Sequence, residues 1–292
     1  MSSGLPDAVI VPLDDTAGSL ALLPIARRLA DRFRIPLHRV TVTSESGEHS
    51  DAAWQAQSVA LSLLAGEPVA STAPRAVSTG TARPSSNEHT DHVGLVFADG
   101  DIDLVLRGGR RAPVLLAYLA DRGQPLLCIA SGGHGTLQRR LAWVMTQRLL
   151  AEAPGPVLVT GPQCDPRHLA GPPATLVLAV GLPFPVPVVE NTAVWARALD
   201  AHVEVVGSDT RPVDAAIDRV RAHGVRADGS VLVRSSTTSA LLERAAGLAG
   251  PALIVGPPPP GESGGGDAFD LVQRSPWPVL ASFGTAAELL GA

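Results

Sequence analysis

The stretch from Leu126 to Val159, LLCIASGGHGTLQRRLAWVMTQRLLAEAPGPVLV, constrains the fold more than any other part of the chain, because it reads as one complete strand, turn, helix and strand. Pro125 opens the apolar run LLCIA, too short for a helix and without polar alternation, as expected of a strand covered on both faces of a parallel sheet. Ser131-Gly132-Gly133-His134-Gly135 then makes a turn whose backbone N–H groups lie at a helix start, where α/β folds receive anions. Leu137, Leu141, Val144, Arg148 and Leu149 follow at helical spacing, and Pro154 and Pro156 end the helix before the strand Val157-Leu158-Val159.

The rest of the chain repeats this alternation. Residues 8–13, 37–43, 93–97 and 103–107 read as strands, and Ser19 to Arg34, Asp51 to Leu64 and Ala112 to Arg122 as helices. Gly66 to Gly100 is irregular and rich in Ser, Thr, Pro and His. Gly161 to Pro173 is dense in proline and glycine and marks a connector. Beyond it the pattern restarts, with strands at 176–180, 203–206, 230–233 and 251–256 and helices at 188–201, 212–223 and 238–248. Pro154-Gly155-Pro156-Val157-Leu158 returns as Pro276-Trp277-Pro278-Val279-Leu280. The restart is an internal duplication of about 125 to 150 residues per copy, the size of a domain and too long for a solenoid repeat. The expected division is a first domain at 1–161 with an insertion at about 66–100, a linker at 162–173 and a second domain at 174–292.

The helix running into Ala153-Pro154-Gly155-Pro156-Val157-Leu158-Val159 resembles the C-terminal half of a universal stress protein domain, and the order of elements extends the resemblance over nearly the whole chain. The fold it implies is α/β: two doubly wound domains, each with a mainly parallel five-stranded sheet flanked by helices, packed as an internal pseudo-dimer. In nucleotide-binding members of that family the first strand ends in Pro-x-Asp, and the loop and helix carry G-x2-G-x9-G-[S/T]. Pro12-Leu13-Asp14 keeps the first pattern, with helix capping by Asp14 or Asp15 as the alternative role. Aligned without gaps on the Pro-x-Pro strand, the second pattern falls on Ala130, Gly133, Trp143 and Val144, and only Gly133 matches. A gapped register, Gly132, Gly135, Met145 and Thr146, recovers three positions. In the second copy Gly181 replaces the carboxylate, and Pro257 to Gly266 replaces the loop with four prolines that offer no N–H and a glutamate that repels phosphate.

The resemblance therefore implies a stress-response or interaction protein without catalytic chemistry, whose nucleotide motif has decayed and which carries no cofactor. The alternative is binding of ATP or another adenine nucleotide by the first domain alone, through Pro12, Asp14, Val42, Ala130, Ser131, Gly133, Trp143 and Val144. Protein partners of unidentified kind, and a homodimer, are compatible with either reading. Net charge is −5 with no basic tract, so a nucleic-acid partner is not expected. No apolar run reaches the roughly 20 residues that span a bilayer, and no signal peptide is visible, so the expected location is cytoplasmic. Cys128 reads as a buried hydrophobe and Cys164 as a surface thiol. Glu88, His89, Asp91 and His92 read as a polar loop, and no metal site is expected. No G-x-S-x-G, G-x-x-x-x-G-K-[ST] or G-x-G-x-x-G motif occurs.

Overall fold

The computed structural model describes residues 5–13, 17–43, 75–77, 91–96, 101–107, 111–131, 136–180, 186–232, 237–248, 250, 252–255 and 265–281. The expected helix at 51–64 lies outside them, as do Asp14, Gly133 and the loops around them. The strands are β1 (Val9–Leu13), β2 (Leu37–Thr43), β3 (Arg75–Val77), β4 (Asp91–Val96), β5 (Ile102–Arg107), β6 (Leu126–Ala130), β7 (Val157–Thr160), β8 (Thr175–Val180), β9 (His202–Gly207), β10 (Ala227–Val231), β11 (Ala252–Val255) and β12 (Val279–Ala281). The helices are α1 (Ala17–Ala21), α2 (Leu23–Phe33), α3 (Arg111–Ala120), α4 (Thr136–Glu152), α5 (Pro166–Leu169), α6 (Val186–Leu199), α7 (Thr210–Ala222), α8 (Thr237–Ala246) and α9 (Gly265–Arg274).

All twelve strands among the described residues belong to one sheet, ordered β10-β9-β8-β11-β12-β7-β6-β1-β2-β5-β4-β3. It contains two five-stranded parallel arrays of the same order, β7-β6-β1-β2-β5 and β10-β9-β8-β11-β12. In the second array every step from β8 to β12 is a β-α-β crossover over mainly apolar strands; in the first the described crossovers are β1 to β2 through α1 and α2, β5 to β6 through α3 and β6 to β7 through α4. The arrays meet through an antiparallel pair, Val279 with Val159, Leu280 with Leu158 and Ala281 with Val157. Every residue of that joint is buried, so two strand edges that would otherwise stand open pair with each other. Gly161 follows β7 where a Cβ would come 1.8 Å from the carbonyl oxygen of Val272 in α9, so only glycine admits this approach.

Each face of the sheet carries one core that runs through both arrays. On one face Val9, Val11, Leu126 and Leu158 continue into Leu176, Leu178, Val203 and Leu280. Trp195 of α6, fully buried, meets Phe33 of α2 edge-on with ring centroids 5.1 Å apart, and Arg32 donates to the Ala198 carbonyl at 2.8 Å. Burying a side chain such as Leu158 contributes about 1.5–3 kcal/mol, so the joint is held by packing as well as by its ladder. The two arrays also end the helix after their first strand alike. Arg34 and Asp200 both take the left-handed conformation, with φ of 58° and 56°, and the next residue donates back to Ala30 and Ala196 respectively.

Four local expectations change. The edge strand expected at 230–233 is observed as Ala227–Val231, because pairing with β9 fixes it and its alternation is too polar to read. The proline-rich connector contains a short helix, α5, where Asp165 accepts from the Arg167 N–H at 2.9 Å and Pro166 occupies the first turn. In the 66–100 segment the strand expected at 93–97 is observed as β4 at 91–96, and what changes is the added β3 and the antiparallel pairing by which both extend the first array from β5. Gly265 and Gly266, expected as loop, open α9.

Candidate functional site

In open α/β sheets the ligand crevice lies beyond the carboxyl ends of the strands where the order reverses. In the first array that place is between β1 and β6, since the chain proceeds from β1 to β2 and β5 on one side and crosses to β6 on the other. Pro12, half-buried, is the last residue but one of β1, beside Val40 of β2, and Ala130, half-buried, ends β6. Val42, also half-buried, lies near the end of β2. These three are thus brought to one edge. Ser131 is fully buried, and both its N–H, at 2.8 Å, and its hydroxyl, at 3.2 Å, donate to the Thr160 carbonyl of β7. Its side chain ties β6 to β7.

Trp143 and Val144 are not at that edge. The helix α4 runs from Thr136 to Glu152, so Val144 stands eight residues, or about 12 Å, along its axis. Its amide is bonded within the helix, whereas only the first four N–H groups are free of helical partners. Val144 is 62% exposed, while Thr146, of the gapped register, is buried. The side chain of Trp143 lies outside the described residues, as do Asp14 and Gly133. Cys128 is fully buried on β6, and burial pushes its thiol far up, so it is an inert packing group. Cys164 is half-buried rather than a surface thiol, and burial, with Asp165 second, pushes it up to about 12.

The carboxyl edge of the second array is closely packed at its described strand ends. Val180 and Val255 are buried, and a Cβ on Gly207 would come 2.8 Å from Val213 Cγ2 and 3.0 Å from the Val180 carbonyl. Gly181 and Pro257 to Gly264 lie outside the described residues. So do Glu88 and His89 and the side chains of Asp91 and His92. Among the described residues no group of three or more His, Cys, Asp or Glu is placed to hold a metal ion, and no helix is long and apolar enough to cross a membrane.

Among the described residues, buried titratable groups also lie near the amino ends of the strands, at residues that carry no sequence motif. His38 of β2 is 4% exposed, and a 2.8 Å hydrogen bond links its Nδ1 to the Tyr118 hydroxyl of α3. The Arg122 guanidinium sits 3.6 Å from the Tyr118 ring centroid. Burial, then the Arg122 charge, lowers the imidazole from 6.5 to about 4, with Asp7 opposing. Burial pushes the Tyr118 hydroxyl up to about 12. In the second array Glu204 of β9, 2% exposed, accepts from Arg244 Nε at 2.7 Å and Ser230 Oγ at 2.9 Å. Burial alone would raise this carboxyl, but these bonds and the Arg244 charge hold it below its ordinary value. The available signal was a titratable residue next to apolar ones inside a strand, Leu37-His38 and Val203-Glu204-Val205.

The family model described as "Universal stress protein family" matches residues 7–161. No curated protein matches the chain. Among solved structures, a universal stress protein from Archaeoglobus fulgidus DSM 4304 aligns with a TM-score of 0.64 at 11% identity, over 96% of this chain and 97% of the other. A candidate universal stress protein from Pseudomonas aeruginosa UCBPP-PA14 aligns with a TM-score of 0.58 at 13% identity, over 96% and 94%. A functionally unknown protein from Pseudomonas aeruginosa PAO1 aligns with a TM-score of 0.53 at 14% identity, over 96% and 93%. At these identities the likeness is one of fold.

Proposed function

The chain belongs to the universal stress protein family, and from that premise we propose that it is a cytoplasmic, non-catalytic stress-response protein that works through protein contacts, with a nucleotide motif decayed in the first array and missing from the second. The observation that carries this reading is the continuity of α4 through Trp143 and Val144. A mid-helix amide has no free hydrogen for phosphate, and an exposed valine offers no hydroxyl. The second array, read as a second copy of the domain at 174–292 joined through 162–173, repeats the strand order and the left-handed helix cap of the first. At the end of its β9, Gly207 lies so close to Val213 and the Val180 carbonyl that no side chain fits.

One observation favours the alternative, adenine-nucleotide binding by the first array. Pro12 and Ala130 lie at the carboxyl ends of adjacent strands at the point of order reversal, and the amino end of α4 follows β6. Mass spectrometry of small molecules released from freshly purified, denatured protein separates the readings. The expected outcome is an empty protein. A stoichiometric adenine nucleotide that disappears in Asp14→Ala would replace the first reading by the second.

A further inference from the structure

His38 and Glu204 occupy one place in the two arrays. Each is paired in register with a residue three positions before the end of the neighbouring first strand, Ile10 before Leu13 and Val177 before Val180. Their partners also correspond, since Tyr118 and Arg244 each stand seven residues after the first residue of their helices, Arg111 and Thr237. The place that holds a neutral imidazole and phenol in one array therefore holds a carboxylate and guanidinium in the other.

The surroundings of His38 make its charged form costly. Its register neighbours are Ile10 of β1 and Ile102 of β5. The α3 side offers Tyr118 and, just beyond the helix, the Arg122 cation over the same ring. From before β1, Asp7 is the one opposing charge among the described residues, and its Oδ2 already accepts from the N–H groups of Gly123 and Gln124, at 3.0 and 3.2 Å. Arg39 and Asp103, next along β2 and β5, pair with each other. An imidazolium at His38 would thus be buried, beside a guanidinium, with a neutral phenol as its bonded neighbour.

We propose that His38 is an acid latch whose protonation releases α3 from the first array while α8 stays seated on the second. The release reaches α4, because α3 packs against it as well as against β2 and β5. The latch stands apart from whether a nucleotide is bound. Its direction follows from linkage: an opened His38 takes up a proton near 6.5 and a closed one only near 4, so opening is favoured as pH falls through that interval and gains nothing further below it.

Hydrogen–deuterium exchange of peptides covering α3 and α8, corrected for the intrinsic pH dependence of amide exchange, tests this on the full chain. Between pH 7.5 and 5 the protection of α3 should fall roughly thirtyfold, and that of α8 less than about twofold. In His38→Gln, which keeps a hydrogen-bonding side chain without a titrating ring, the loss at α3 should vanish. Equal losses in α3 and α8, or a loss at α3 that survives in His38→Gln, would overturn the latch. Should that variant not fold, the imidazole NMR titration of the wild-type protein decides: a folded-state midpoint below pH 5 supports the latch, and one near 6.5 removes it.

Discussion

The two arrays bury a polar strand residue at the same place and neutralise it by different means, His38 against Tyr118 and Glu204 against Arg244. The neutral pair avoids desolvating any charge, but it stays neutral only while the solution supplies few protons. The ionic pair carries a desolvation cost that Arg244 and Ser230 offset, and it is indifferent to pH until the carboxylate itself protonates. One backbone thus carries two pH dependences, set by one strand residue and one helix residue in each array. The outer edges differ too. The first array's β5 is covered by β4, whereas β10 ends the sheet. There Arg221 donates to the Ala227 carbonyl at 2.7 Å and Asp228 is exposed, two devices that blunt an open edge.

Substitutions that sharpen this contrast differ in size. Arg244→Met strands a buried carboxylate and should cost about 3 kcal/mol at pH 7, read as a shift in the urea midpoint. That deficit should shrink as pH falls below the ordinary carboxyl value of 4.5, because the wild-type pair contributes stability above that pH and loses it on protonation of Glu204. Tyr118→Phe removes one neutral hydrogen bond and should cost about 1 kcal/mol at pH 7; a loss as large as that of Arg244→Met would erase the distinction between the pairs. Arg221→Ala at the open edge should change stability by less than about 0.5 kcal/mol, since its guanidinium is largely solvated. Its measurable effect is expected in self-association, followed by light scattering at rising concentration, because it uncovers the Ala227 carbonyl.

Most of the fold was legible because its strands are apolar runs between prolines and glycines, as in Leu126 to Ala130 and Val157 to Val159, and that signal is local. β10 lies earlier than expected because Asp228, Gly229 and Ser230 carry no apolar alternation, whereas Val231-Leu232-Val233 is an apolar run. The helix α9 was hidden by the glycines that open it. At the candidate site the local motif Pro12-Leu13 and the strand end Ala130 were readable, since chain order alone puts them at the reversal. The commitment of Ser131 to Thr160 was not, and neither was the meeting of His38 with Tyr118. Those contacts join positions 29 and 80 residues apart, and no periodicity reports them.

The joint between β7 and β12 also sets a schedule for synthesis. β7 is made well before the strand that covers it, and the residues between Thr160 and Val279 take on the order of ten seconds to translate at roughly 5–20 residues per second. Throughout that interval Val157, Leu158 and Val159 present an unpaired apolar edge. The nascent chain is therefore most prone to pair with a neighbouring copy on the same messenger, and most in need of a chaperone, between the completion of its first array and the arrival of its last described strand.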